Sequence, residues 1–331
     1  MMRKSTIALL LLCLSLGLPS CAAETPAAPE ATLPTSTAVD WPKDKLTLGT
    51  GGVPSLKVYV VEQKGVQELN IERYLEGVLA GEMKNDWPLE ALKAQAILAR
   101  TYALKFVADK QSRYEGADVS TDIEEAQAFD ASAVNERVRQ AVAETRGMAL
   151  ACDGELIFAW FHAHSGGMTE LAKPGLDWAE AEPGYTLATQ GNEPTDMTLS
   201  GLEAASAWQA NFTAEEFAAA AKQQGKTVTV GGGTQLSIDK RGQSGRAETI
   251  LCGDQTLDAA TLRIALGSTK MRSTLLTSLR IRDGSVEMAG KGYGHGVGMS
   301  QWGAYGMANE GKTAEEIVTH YFRNVEVVKL W

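Results

Sequence analysis

Apolar residues recur at Ile71, Leu75, Val78 and Leu79, the three-to-four spacing of one helix face, and the spacing predicts a helix over 71–83. Asn70 stands just before it as an N-cap. Glu82 is the next position on that apolar stripe. The run Asn85-Asp86-Trp87-Pro88 then breaks the chain, with Pro88 suited to the first turn of a second helix. Leu89, Leu92, Ala96, Ala99, Ala103 and Phe106 carry that helix to about Val107. Lys93 and Arg100 share one of its faces. Upstream, 56–61 alternates in the β manner and predicts a strand.

Further along, a polar loop followed by a helix over 135–145 occupies 109–147. A hairpin is expected from 148–152 and 156–160, turning at Asp153-Gly154 and delivering the chain into His162-Ala163-His164-Ser165-Gly166-Gly167. Residues 171–200 read as loop. Thr213-Ala214-Glu215-Glu216 is a capping box ahead of a short helix ending near Gly225. From 227 to 288 short β segments dominate, with one helix near 257–266. A glycine loop spans 290–298, a helix follows over 299–309, and Thr313-Ala314-Glu315-Glu316 caps a last helix reaching Phe322. This irregular order predicts an α+β fold of helices and short, mainly antiparallel strands, with a smaller subdomain over about 200–288.

Composition refines this picture at the ends and in the charge. The chain of 331 residues is 44% hydrophobic and 22% charged, which is ordinary for a folded domain. A net charge of −10 argues against nucleic acid as a partner. Arg3, Lys4 and the apolar run 7–18 form an export signal too short to span a bilayer. Two processing sites compete: lipidation at Cys21 in Leu18-Pro19-Ser20-Cys21, or cleavage after Ala23. Residues 1–23 are therefore expected to be a signal and 24–50, rich in Ala, Pro, Thr and Glu, a disordered tether. The folded domain is then 51–331. The product is exported to the cell envelope and touches membrane only through the signal or a lipid anchor. In the body, Cys152 and Cys252 are either a disulfide or two thiols.

Three segments could carry chemistry. A carboxylate on an apolar stripe loses hydration, its pKa rises, and it becomes a proton donor for glycosidic cleavage. Glu82 fits that description, and it also fits a stripe-edge glutamate paired with Lys93 or Arg100. Those two cations could grip anionic sugar groups or be solvated surface charge. His162 and His164 fall on one strand face and are the only candidates for a metal, too few for a zinc site by themselves. Gly292-Tyr293-Gly294-His295-Gly296-Val297-Gly298 has glycine at every second position. In an extended chain that leaves one face bare for a ligand; otherwise the loop packs tightly on the core. The spacing of a dinucleotide-binding loop is not met. Gln301 and Trp302, just after, offer a hydrogen-bonding amide and a ring that can stack on sugar.

These blocks resemble the sporulation stage II protein D family, which also includes the amidase-enhancer proteins of cell-wall turnover. The resemblance rests on the run from Tyr74 to Met83, on Trp87 to Ala96, on Ala99 to Ala103, on Phe161-His162 with Ser165 to Glu170, and on Gly292 to Ala304. Leu262-Arg263, Ala265-Leu266-Gly267 and Arg272-Ser273-Thr274 also match. The resemblance implies a glycan-binding cleft and a lytic transglycosylase. Such an enzyme cleaves between N-acetylmuramic acid and N-acetylglucosamine in strands stripped by an amidase and leaves 1,6-anhydro ends. Glu82 matches the family's catalytic glutamate. Lys93, Gln95, Arg100, His162, Ser165, Gly166, Gly167, Thr169, Tyr293, His295, Gln301 and Trp302 would hold substrate. Some relatives carry a zinc-linked cysteine where this chain has Ser165. No cofactor is therefore expected, and zinc is left open only through His162 and His164. The partners implied are peptidoglycan glycan strands and an N-acetylmuramoyl-L-alanine amidase. The alternative activity is non-catalytic enhancement of that amidase.

Overall fold

The computed structural model describes residues 39–331. The expected export signal and the lipidation candidate Cys21 lie outside the described residues. Packing begins earlier than the expected domain start at 51: Val39 and Leu46 are already buried against the core.

The chain opens with three strands, β1 (Thr47–Leu48), β2 (Pro54–Val60) and β3 (Gly65–Asn70). Helices α1 (Ile71–Glu82) and α2 (Leu89–Asp109) follow, then β4 (Val119–Ser120), α3 (Glu136–Glu144), β5 (Met148–Cys152), β6 (Glu155–Leu156) and β7 (Phe161–His162). The middle of the chain supplies α4 (Ala172–Leu176), α5 (Leu202–Ser206), β8 (Ala207–Thr213), α6 (Ala214–Gln223), β9 (Leu236–Arg241), β10 (Ala247–Cys252), β11 (Gln255–Asp258) and α7 (Ala259–Ala265). The last elements are β12 (Leu276–Arg282), β13 (Ser285–Lys291), β14 (Met299–Ser300), α8 (Gln301–Asn309), α9 (Ala314–Tyr321) and β15 (Glu326–Lys329). The architecture is α+β, with several small sheets that are antiparallel except where β4 joins β2 and β14 joins β7.

Two apolar clusters organise these elements. The first surrounds α2, which is buried on nearly all sides by Leu92, Ile97, Leu98, Leu104 and the small alanines between them. A helix apolar all round belongs in a core, and α1, α3, α8, α9 and β5 pack on this one. The second cluster gathers Trp208, Phe212, Phe217, Ile250, Leu262 and Met288. It forms where α6 and α7 cover the sheets β11-β10-β9 and β12-β13-β8.

The capping residues behave as their chemistry requires. Asn70 accepts from Glu72 N, and Thr213 and Thr313 each form a full capping box with the glutamate three positions on. Asp153 and Gly154 turn the β5–β6 hairpin with φ of 51° and 79°, the left-handed pair a tight hairpin needs. The second hairpin strand is shorter than its β-rich text predicts. The ladder ends at Leu156, and Phe158 and Trp160 turn aside to pack on Trp178. The region expected to be loop over 171–200 contains the short helix α4.

Candidate active site

Glu82 occupies the C-terminal end of α1, partly buried. The chain passing over it is the segment around Ala128, whose N–H donates to Glu82 Oε1 at 2.7 Å. This approach depends on two glycines of α1. A Cβ on Gly81 would stand 2.7 Å from Phe129 N, and one on Gly77 would enter the Phe129 ring. Asp130 N also donates to Gly77 O at 2.9 Å. Burial pushes the Glu82 carboxyl up to about 7, against the lowering pull of the Ala128 N–H and the Gln301 amide. The hydrogen bond that Gln301 Nε2 makes is to the main-chain oxygen of Glu82, at 3.2 Å. A carboxyl in this condition can hold a proton near neutrality and give it up to a basic oxygen.

The blocks at 162–170 and 292–302 are knitted together by backbone. β7 and β14 pair in parallel, with Phe161 opposite Met299 and His162 opposite Ser300. His164 and Tyr293 exchange both main-chain hydrogen bonds, at 3.0 and 2.9 Å, and Trp302 N donates to Ala163 O. Gln301 therefore ties the whole assembly to Glu82. His162, Ser165, Tyr293, His295 and Gln301 are brought together by this weave.

Within it the polar groups serve one another. Glu193 Oε1 accepts from Ser165 N at 2.6 Å and from Ser300 Oγ at 2.7 Å. His164 Nδ1 accepts from Gly166 N at 2.9 Å, and Ser165 Oγ accepts from Gly167 N at 3.1 Å. Thr169 Oγ1 donates to Leu187 O. His162 bonds Val297 O through Nδ1 at 3.1 Å, while its buried Nε2 has no partner among the described residues. Burial, followed by the charges of His295 and Arg246, keeps His162 well below the usual imidazole range. Among the described residues no group of three or more His, Cys, Asp or Glu could hold a metal ion. His162 and His164 each bond backbone through Nδ1, and among the described residues they bring no third His, Cys, Asp or Glu ligand with them. Cys152 and Cys252 are both thiols.

Three expectations about substrate contact are corrected by burial. Arg100 is fully buried and its guanidinium faces inward: Nε donates to Glu72 Oε1 at 3.2 Å, Nη2 donates to Glu72 Oε2, and Nη1 donates to Met148 O at 3.0 Å. It ties α2 to the start of α1 and to β5. Trp302 is 5% exposed and leans on Trp87 and Tyr305, with ring centroids 4.6 and 5.4 Å away, so its face is taken. The glycine loop is not extended. Gly292, Gly294, Gly296 and Gly298 have φ of 77°, 111°, 85° and 70°. Side chains there would strike His164 O, His162, the Arg246 guanidinium and Trp160 O respectively. The glycines admit neighbouring protein rather than a ligand.

The remaining two α2 residues stand apart from the weave. Lys93 bonds Glu90 at 2.8 Å and Glu144 at 3.3 Å, and these carboxylates hold its ammonium above the usual lysine range against partial burial. Gln95 is wholly buried, and neither amide atom has a partner among the described residues.

Several participants escaped the sequence reading: the Ala128 N–H, Glu72, Glu193 and Arg246. A main-chain donor has no sequence signature, and the acids lie far in sequence from what they serve. Gly77 and Gly81 did leave a signal, two glycines four apart inside a helical pattern, which marks close approach of another chain segment.

An α+β domain that presents a neutral-range carboxyl at a helix end, bound to a woven motif of histidine and glycine turns, defines the class. Residues 60–151 match the family model described as stage II sporulation protein. A Brachyspira hyodysenteriae protein described only as uncharacterised is 32% identical over 263 residues, covering 80% of this chain and 68% of that protein. Stage II sporulation protein D of Bacillus subtilis is 30% identical over 287 residues, covering 82% and 78%. A protein of the same organism called amidase enhancer is 28% identical, covering 75% of this chain and 39% of its own length. The chain belongs to the stage II sporulation protein D family.

Proposed function

We propose that this is an exported cell-wall protein acting on peptidoglycan as a lytic transglycosylase, with Glu82 as its acid and base. The observation that carries the reading is the Glu82 carboxyl, raised to about 7 by burial. Protonated Glu82 gives its proton to the glycosidic oxygen between muramoyl and glucosaminyl residues as the C1–O4 bond breaks. The muramoyl C6 hydroxyl then closes on C1 and returns its proton to the carboxylate, so the acid is regenerated and no water is consumed. One carboxyl serves both steps because it changes protonation state between them. Gln301 and the Ala128 N–H fix its position. Lipidation at Cys21 would tether the domain near the wall.

A second reading is favoured by the relative named amidase enhancer: the domain binds glycan and stimulates an amidase without cleaving. Incubating residues 39–331 with amidase-stripped strands separates the two, with 1,6-anhydro ends followed by mass spectrometry. Anhydro ends from the wild type and none from a folded Glu82→Gln support the transglycosylase. No product from either, with amidase stimulation intact in both, supports the enhancer.

A further inference from the structure

Arg246 and Arg263 are 0% and 8% exposed, and among the described residues neither forms an ion pair. A buried guanidinium without a counter-ion is unfavourable. Arg246 is largely accounted for by oxygens of the protein. It donates to Ser165 O at 2.6 Å, Met168 O at 2.8 Å and Ser244 Oγ at 3.2 Å, and the charges of Glu170 and Glu193 favour it from further away. Among the described residues its Nε lacks a partner.

Arg263 is different. Its Nε donates to Arg272 O at 3.0 Å. Its two terminal nitrogens have no partner among the described residues, and neither is sealed from solvent. They form an open fork of donors on an otherwise buried side chain. Arg272 lies beside it, half-buried, with its guanidinium 5.3 Å from the centroid of the Tyr293 ring. The Arg272 carbonyl also accepts from Gly294 N at 2.8 Å, so the glycine loop is fastened to both arginines. His295 adds no charge: burial, then Arg263 and Arg246, hold it down to about 3. The locus is thus cationic on a chain whose net charge is −10.

We propose that Arg263, with Arg272 and Tyr293 beside it, binds a carboxylate carried on a sugar: the free lactyl carboxylate of a muramoyl residue whose stem peptide has been removed. The assignment rests on the muramyl-glycan reading above and gives it a recognition element. A planar fork matches a carboxylate through two parallel hydrogen bonds, and Arg272, lying over the Tyr293 ring and donating to Ala204 O, adds positive charge beside it. While a stem peptide is attached, the lactyl group is an amide and that charge is absent. A phosphate would satisfy the same donors.

Isothermal titration of residues 39–331 with N-acetylmuramic acid, N-acetylmuramoyl-L-alaninamide, N-acetylglucosamine and inorganic phosphate tests the assignment. N-acetylmuramic acid is expected to bind at least tenfold more tightly than either neutral sugar. Arg263→Gln should abolish that preference and Arg272→Gln should weaken it severalfold, so the half-buried Arg272 carries the test if Arg263→Gln does not fold. Equal affinity for the acid and its alaninamide, a preference that survives in a folded Arg263→Gln, or one untouched by Arg272→Gln alone, would overturn it. So would phosphate binding that N-acetylmuramic acid cannot displace. The readout needs no bond cleavage, so loss of the Glu82 assignment and loss of this site are told apart.

Discussion

Gln301 Nε2 lies 3.2 Å from the main-chain oxygen of Glu82, across 219 positions of sequence. The contact joins the first residue of α8 to the last of α1, so the proposed acid is positioned by a motif near the other end of the chain. Ala128 N–H adds a second fixed partner on the carboxyl itself. Both are hydrogen-bond donors, yet burial prevails and the carboxyl stays raised.

The pH dependence follows from that shift. With its folded pKa near 7 against an ordinary 4.5, Glu82 binds its proton more readily in the folded state. Its contribution to stability is therefore fully present below about 4.5 and is lost as pH rises toward 7. Glycan cleavage should fall above about pH 7 as the donor ionises. Urea midpoints between pH 4.5 and 7.5 should decline less in Glu82→Gln than in the wild type; parallel declines would place the titration elsewhere.

Gly81→Ala should uncouple the acid from its support. The new Cβ would press on Phe129 N at 2.7 Å and push the Ala128 N–H off Glu82. Anhydro-end formation is expected to drop at least tenfold, while the domain loses only about 1–3 kcal/mol in urea unfolding. Full activity in a folded Gly81→Ala would show that the Ala128 hydrogen bond is dispensable.

Glu72 is the acceptor that makes a buried Arg100 tolerable. It also receives Gly147 N and Trp331 Nε1, each at 3.0 Å. Glu72→Ala strands the guanidinium and should cost about 3–5 kcal/mol, read as a lowered denaturation midpoint. A change under about 1 kcal/mol would mean that Met148 O and Ala96 O, which both accept from Arg100 Nη1, suffice for Arg100.

Gly298→Ala meets both a φ of 70° and the oxygen of Trp160. The loss should be at least about 2 kcal/mol. Gly311→Ala, with φ of 85° but open space around its Cβ, should cost about 1–2 kcal/mol. Thermal unfolding of the pair separates backbone strain from collision, and equal losses would remove the role given to close packing at Gly298.

The sequence by itself determined α1 with its Asn70 cap, α2, the capping boxes and the suspicion about Glu82. Each of these depends on neighbours three or four positions away, where periodicity and local hydrogen bonding decide. It could not tell a solvated Arg100 from a buried one, because Glu72 lies on another helix. Nor could it tell whether alternating glycines bared a surface or admitted other chain. Trp302 looked like a sugar platform until Trp87 and Tyr305 were found against it. Those outcomes belong to tertiary structure: burial and charge pairing are set by residues distant in sequence, and only their packing fixes whether a polar or aromatic side chain meets protein or solvent.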